Sequence, residues 1–322
     1  MDDLLTDALK QLLDDQCTPA AVRAIEGGQS AAALWSQIEE SGFADAMLPE
    51  EQGGAGLTLA DAFPLFELCG SHAVPVPLAH TMLARALLAS AGIERPAGSI
   101  AIAATHTVPY GRVADHVLTR IDNRTLLLPT AQARRAKAVF PLDAALEWPD
   151  SVIGQAQVVP GSHDIEALQA CIAAAQLAGA LMNVFQRTLQ YANERQQFGR
   201  AIGKFQAIQH QLAVASEHTF AARMAAQIGC SSTSWEPDRL RAAIAKARAS
   251  ESAVEVAALA HAIHGAIGFT EEYDLQLYTR RLHAWRREAG AESHWHDVLG
   301  EELVDRRGGI VLDLIRDTTD VH

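Results

Sequence analysis

A segment near the middle of the chain, residues 191–211, combines residue types that could bind an anion and a flat ring. Its sequence is YANERQQFGRAIGKFQAIQHQ. Apolar periodicity predicts a long helix ending near Arg195, two glycines that break it, and a second helix starting around Lys204. The turn would then present the arginine, the ring of Phe198 and helix N-terminal N–H groups together, which favours a pyrophosphate and a planar ring as ligands. An ordinary helix–turn–helix connection with a solvated arginine is the alternative.

Other titratable residues are less specific. They are His210, Glu217, His218, His261, His264, His294 and His296. A metal site would need suitably placed ligands in a dry pocket, so we expect the histidines to lie on a helix surface and predict no metal. The last two histidines flank a tryptophan, which fits either a partner surface or an amphipathic final helix.

Composition places the chain among globular proteins of two or three domains. It has 322 residues, 49% hydrophobic and 20% charged, with a formal net charge of −13. This charge argues against a general nucleic-acid binder but leaves room for an anionic ligand beside a local arginine cluster. The N-terminus is acidic and the chain has no long apolar run, so neither a secretory signal nor a membrane span is expected. The predicted location is therefore the cytoplasm.

The four cysteines are widely spaced and form no C-x-x-C pattern. The spacing therefore indicates neither a zinc site nor a disulfide framework. Cys171 lies among alanine, isoleucine and leucine residues, and we expect it to be a small core residue of a helix.

Periodicity divides the chain into three predicted domains. Residues 1–97 are predicted to be helical, with Thr58 as a helix N-cap. Short strand-like runs separated by turn residues predict a small, shortened β domain over 98–160. Residues 161–322 are predicted to form long helices joined by short loops, as in an antiparallel four-helix bundle, with Gly179 allowing two helices to approach closely.

The segment 191–211 resembles the flavin-contacting motif of the acyl-CoA dehydrogenases, with Arg195, Phe198 and Gln206 at the motif's spacing. A second segment, HAIHGAIGFTEEY at 261–273, resembles the family's Gly-Gly-x-Gly-Phe/Tyr segment. The bend MLPEEQGGAGL at 47–57 is typical of the family's N-terminal domain. The resemblance therefore covers nearly the whole chain.

This resemblance implies a mainly α fold with a small β middle domain and a C-terminal four-helix bundle that builds a dimer and usually a tetramer. It also implies FAD as cofactor, an acyl-CoA substrate and electron delivery to an electron-transfer flavoprotein. The implied cofactor-binding residues are Arg195, Phe198, Gln206, His264, Gly265 and Gly268. His264 is expected to approach the flavin pyrophosphate.

The chain departs from the family at the catalytic base, a glutamate that removes the α-proton of the acyl-CoA. An ungapped alignment places Ala289 at the usual base position, between Glu288 and Glu292. The alternative position on the first bundle helix falls near Gln169, with Glu166 one turn away. The catalytic residue is therefore unknown: Glu288 and Glu292 are candidates, and solvation of both among neighbouring basic residues is the alternative.

The middle domain departs as well. It is shorter than is usual in the family and lacks the Thr-Glu-Pro…Gly-Ser and Trp-Ile-Thr/Ser runs that face the flavin, and Ala262 replaces a frequent glutamine. Arginines 280, 281, 286 and 287 form a basic cluster, which fits either a solvated helix face or contact with a CoA or FAD phosphate.

In the family each FAD spans two subunits, and this chain keeps much of one half of that site and lacks most of the other. The pattern resembles the small, degenerate subunit of heteromeric (α2β2) acyl-CoA dehydrogenases of bacterial steroid side-chain degradation. The resemblance thus implies a full-length partner subunit, with a steroid side-chain CoA thioester as a possible substrate. Two alternatives are a self-sufficient homomeric dehydrogenase using Glu288 or Glu292 and a non-catalytic structural or binding protein of the same fold.

Overall fold

The computed structural model of the chain describes residues 2–307 and 310–319, in which helices dominate. The α-helices are α1 (Asp2–Gln16), α2 (Pro19–Glu26), α3 (Ala32–Ser41), α4 (Leu59–Ser71), α5 (Leu78–Ser90), α6 (Asp150–Gln155), α7 (Ile165–Glu194), α8 (Gln206–Gly229), α9 (Arg239–His264), α10 (Leu275–Trp285), α11 (Glu292–Glu301) and α12 (Val311–Thr319). The strands are β1 (Ile100–Ala103), β2 (Thr107–Val108), β3 (His116–Ile121), β4 (Arg124–Pro129), β5 (Arg134–Lys137), β6 (Ala144–Glu147), β7 (Gln157–Val159), β8 (Gln196–Gln197) and β9 (Arg200–Ala201). The predicted mainly α fold with a small β middle region is confirmed. The division at residues 97 and 160 stays a prediction.

Helix α4 begins where local hydrogen bonding satisfies its first N–H groups. The Thr58 hydroxyl accepts from the Asp61 N–H at 3.2 Å, and the Asp61 carboxylate accepts from the Thr58 N–H at 3.0 Å. This reciprocal capping box fixes the start of α4 and confirms the predicted N-cap.

The middle region contains two small sheets. One has the strand order β1-β3-β4-β7, with β1 parallel to β3 and the other pairs antiparallel; the second has the order β2-β6-β5. The strand-like runs that the sequence shows at residues 99–103, 117–121, 125–128 and 156–159 correspond to the first sheet. The sequence analysis missed the second, because β5 is the exposed run Arg-Arg-Ala-Lys, which has no alternating apolar residues.

The long helices α7, α8 and α9 pack against one another, and α7 also packs on α4 and α10. A Cβ atom on Gly179 of α7 would lie 1.9 Å from the Glu67 carbonyl oxygen of α4, so the expected close approach is present. By length and composition alone, α7 and the segment Arg239–Phe269 could each cross a membrane, but 83% of the apolar window of α7 is buried inside the fold. Burial of this kind is what a core helix requires.

Candidate cofactor and acid–base sites

A short hairpin connects α7 to α8 and carries the predicted cofactor residues. Arg195 is the C-cap of α7, and its N–H donates to the Tyr191 carbonyl at 2.8 Å. Strands β8 and β9 pair directly, and the Ile202 N–H closes the hairpin by donating to the Arg195 carbonyl at 2.8 Å. The backbone of Arg195 is therefore fixed from both sides.

The turn of this hairpin holds Phe198 in a conformation that costs free energy. Phe198 and Gly199 have φ angles of 51° and 78°. Positive φ at both central residues is the pattern of a type I′ turn. Glycine adopts this backbone conformation readily, whereas a phenylalanine in it is strained. The Phe198 side chain is nevertheless 91% exposed, and its ring meets that of Phe205 edge-on, with ring centroids 6.1 Å apart. An exposed aromatic ring held by a strained turn indicates a binding role.

Positive electrostatic potential accumulates next to this ring. The Arg195 side chain is exposed and makes no hydrogen bond or ion pair with the residues that the structure describes. Helix α8 begins at Gln206 without a side-chain cap on its first N–H groups. An uncapped end of a long helix and an unpaired guanidinium are both suited to an anion such as a pyrophosphate.

The glycine-containing segment 265–269 lies on the other side of the same cleft. His264, the last residue of α9, is 4% exposed and stacks on Tyr191 with ring centroids 4.4 Å apart. Its Nδ1 donates to the Ala260 carbonyl at 2.7 Å, and burial lowers the pKa of the imidazole. A neutral ring protonated at Nδ1 leaves Nε2 as a hydrogen-bond acceptor that has no partner among the residues described, so His264 offers a phosphate no positive charge.

The cleft between these elements has a volume of about 700 Å³. It brings together four of the six predicted cofactor residues: Arg195, Phe198, His264 and Gly265. Gln206 is exposed at the start of α8, and Gly268 is buried under the turn; neither belongs to the lining.

Glu288 lies in the protein interior, so solvation, the alternative to its being a candidate base, is wrong for this residue. The side chain is 9% exposed, and its Oε1 lies 3.7 Å from Nε2 of the fully buried His80. The Ile102 N–H donates to His80 Nδ1 at 3.2 Å, which places the imidazole proton on Nε2, facing the carboxylate. Sequence reasoning missed His80 because nothing in its neighbourhood along the chain indicates a partner 208 positions away.

The two positions where the family's base could stand meet in space. Nε2 of Gln169 donates to Oε1 of Glu288 at 3.2 Å, and Oε1 of Gln169 accepts from the Ala104 N–H at 2.7 Å. Gln169 is 2% exposed. The side-chain amide of Gln169 therefore occupies the base position on the first bundle helix. Glu288, the residue next to Ala289 at the other base position, is hydrogen-bonded to that amide.

Burial controls the charges of this interior cluster. It raises the pKa of Glu288 to about 8, with the Asp143 carboxyl adding to the effect, and raises that of Asp143 to about 7. It also lowers the pKa of Lys246 to about 7 and that of His80 to about 3. Nζ of Lys246 donates to the carbonyls of Arg286 and Gly290 at 2.8 and 2.9 Å, so it fixes the loop that carries Glu288.

Glu292 and the basic cluster are largely neutralised by ion pairs. Glu292 pairs with Arg286, whose hydrogen bond lowers the pKa of the carboxyl. Glu26 of α2 pairs with both Arg280 and Arg281, and Arg281 is fully buried. For Arg281, both alternatives considered for the basic cluster are therefore wrong, because its side chain is neither solvated nor free to contact a phosphate.

The histidines fall into two groups. His210 is exposed as expected, while His294 and His296 lie 3.0 and 3.3 Å from carboxylates of Glu166 and Glu251. The expectation of a surface position is wrong for His264, which is buried, and His261 is half-buried against Phe269 with ring centroids 4.4 Å apart. Within residues 2–307 and 310–319, no group of three or more His, Cys, Asp or Glu side chains could hold a metal.

Comparisons with known proteins give one consistent result. Residues 2–95 match the model described as acyl-CoA dehydrogenase, N-terminal domain, and residues 168–303 match acyl-CoA dehydrogenase, C-terminal domain. The acyl-CoA dehydrogenase IpdE2 of Mycolicibacterium smegmatis is 33% identical over 293 residues, which cover 87% of this chain and 92% of the relative. IpdE2 of Mycobacterium tuberculosis is 32% identical, covering 87% of this chain and 90% of the relative.

Solved structures show the same fold. The ChsE4-ChsE5 complex from Mycobacterium tuberculosis contains a chain with a TM-score of 0.82 at 20% identity, covering 94% of this chain and 97% of that one. A chain of the Tcur3481-Tcur3483 steroid ACAD variant has a TM-score of 0.82 at 24% identity, covering 96% of this chain and 99% of that one.

Proposed function

Since this chain belongs to the acyl-CoA dehydrogenase family, whose members are FAD-dependent oxidoreductases acting on acyl-CoA, we propose that it is the subunit that completes a partner's FAD site. It would contribute half of the cofactor contacts and a helical scaffold. A full-length acyl-CoA dehydrogenase subunit would contribute the catalytic base, the acyl pocket and the β domain that faces the flavin.

The residues present fit the anionic part of FAD. The Arg195 guanidinium and the uncapped start of α8 would hold the pyrophosphate, and the exposed Phe198 ring would pack on the cofactor. Bound FAD supplies the hydride acceptor for α,β-dehydrogenation. This chain's residues would bind and orient the cofactor.

The observation that carries the proposal is the contrast between the two sites. Arg195 and Phe198 are exposed along an open cleft. Glu288, in contrast, is enclosed by Gln169, His80 and the loop held by Lys246. A base must reach the substrate proton within hydrogen-bond distance, and the enclosed carboxylate contacts protein groups instead.

One observation favours the self-sufficient dehydrogenase as a second candidate. A pKa of about 8 makes the ionised form of Glu288 a stronger base than an ordinary glutamate, and that form becomes populated as the pH approaches 8. This candidate requires the loop that carries Glu288 to open and admit a substrate.

Substrate class, electron acceptor and location are part of the proposal. One structural neighbour is the Tcur3481-Tcur3483 steroid ACAD, and this likeness supports a steroid side-chain CoA thioester as the substrate. Family membership supports electron delivery to an electron-transfer flavoprotein and a cytoplasmic protein.

Purification of the chain alone and together with a full-length acyl-CoA dehydrogenase of the same organism tests the proposal. We expect the chain alone to carry little flavin and no acyl-CoA dehydrogenase activity, and the complex to carry FAD. In the complex, Arg195→Ala should release flavin while Glu288→Gln leaves turnover nearly unchanged. A yellow, active homomer whose activity is abolished by Glu288→Gln would establish the self-sufficient enzyme instead.

A further inference from the structure

Two cysteines far apart in sequence meet at the base of the α7–α8 hairpin. Cys171 lies near the start of α7, and Cys230 is the C-cap of α8, 59 positions later. Their Sγ atoms are 3.2 Å apart, and both side chains are fully buried. The segment between them contains the whole α7–turn–α8 hairpin, including Arg195 and Phe198 at its far end.

Both thiols are held in place by the surrounding helices. The Cys171 thiol lies 3.5 Å from the Gly229 carbonyl, to which it donates, and the Cys230 N–H donates to the Ala226 carbonyl at 3.1 Å. Helices α7 and α8 pack along their length and hold the two sulfurs close to each other. From their separation of 3.2 Å, the sulfurs need to approach by only about 1 Å to reach the roughly 2.05 Å of a disulfide bond.

We propose that Cys171 and Cys230 are a modification site that forms a reversible disulfide and covalently closes the α7–α8 hairpin. The oxidant is a hydroperoxide. A thiolate attacks the peroxide oxygen, which breaks the O–O bond, releases hydroxide and leaves a sulfenic acid. The second thiol then displaces that oxygen as water, so two thiols and one hydrogen peroxide give one disulfide and two waters.

Burial determines how this site reacts. The hydrogen bond that the Cys230 thiol makes with Cys171 favours its protonated form, and together with burial it raises the pKa of Cys230 well above its usual range. Thiolate is therefore scarce, and the first step should be slow and depend on local opening where α8 ends in the half-exposed loop at Ser231 and Ser232. The second step should be fast because the other thiol is in contact, which favours a disulfide over further oxidation.

Oxidation of the purified full-length chain with hydrogen peroxide tests the proposal directly. Thiols counted after denaturation should fall from four to two, since the chain has four free cysteines. Non-reducing peptide mapping should link the peptides of Cys171 and Cys230. The Tm should rise by roughly 5 °C or more, as expected for closure of a long loop, and return on reduction with dithiothreitol.

A Cys17→Ser/Cys69→Ser variant is the matched control, because those two buried cysteines lie outside the hairpin; it should still form the link. Cys230→Ser should abolish the link. If one of these variants fails to fold, peptide mapping of the oxidised wild-type chain still tests the proposal by itself. Four thiols after oxidation, a link to Cys17 or Cys69, or sulfinic acid at Cys230 would each overturn the proposal.

Discussion

Replacing Glu288 with glutamine tests the assignment of a buried, protonated carboxyl without any need for cofactor or partner. Glutamine keeps the shape and an oxygen that can accept from Gln169 and His80, but it has no ionisable proton. The variant therefore removes one titration from the folded protein and leaves the packing nearly intact.

The sign of the effect on stability follows from the pKa of Glu288, which burial raises from the usual 4.5 to about 8. Between these values the folded state holds a proton that the unfolded state has released. The stability gained from this proton is fully present below pH 4.5 and is lost as the pH rises to about 8. At about 1.4 kcal/mol per pKa unit the upper limit is roughly 5 kcal/mol, and relaxation of the site should leave a few kcal/mol.

Urea unfolding of the wild type and Glu288→Gln at pH values from 5 to 8, followed by tryptophan fluorescence, measures the effect. The free energy of unfolding of the variant should rise relative to the wild type across this range. Asp143, whose raised pKa gives the same sign, and Lys246, whose lowered pKa makes stability increase from about pH 7 upward, titrate in both proteins. The difference removes their separate contributions and keeps only their electrostatic coupling to Glu288.

Glu292→Gln is the matched control, since that carboxyl is half-exposed, paired with Arg286 and has a lowered pKa. It should show no such gain. If the Glu288→Gln and wild-type stabilities run parallel from pH 5 to 8, the carboxyl is ionised in the fold and the interior cluster has been misjudged.

Further predictions concern the cofactor site, the helix packing and the assembly. In a FAD-loaded complex, Arg195→Ala should weaken FAD binding about ten- to a hundredfold, and Arg195→Lys should weaken it less because lysine keeps the charge. Phe198→Ala should also weaken FAD binding, but with less dependence on salt; equilibrium dialysis at two ionic strengths measures the affinity of all three variants. Gly179→Ala should destabilise the fold by about 1–3 kcal/mol in urea unfolding, because the added Cβ meets the α4 backbone, whereas Gly154→Ala, with open space around it, should not. The bundle formed by residues 164–300 should associate through apolar side chains such as Phe220 and Met224, which are 49% and 57% exposed; sedimentation should show an oligomer at micromolar concentration, weakened by Met224→Glu, and a stable monomer would contradict this.

The sequence by itself determined features that depend on neighbouring residues. Thr58 and Asp61 are three positions apart and form the cap of α4 in any context that allows a helix there. The end of α7 at Arg195 and the exposed turn at Phe198 follow equally from a long apolar period interrupted by glycine. Most of the candidate cofactor site lies within such local segments, so its outline could be predicted.

Only the tertiary structure decided the surroundings of the charged and sulfur-containing side chains. A glutamate in a run of arginines and glutamates suggests solvent, yet Glu288 is enclosed by His80 and Gln169, which come from helices far away in the sequence. Cys171 and Cys230 likewise lack any spacing pattern and meet because α7 and α8 pack antiparallel. Burial and charge pairing are sums over contacts between distant segments, and no local pattern in the chain contains those contacts.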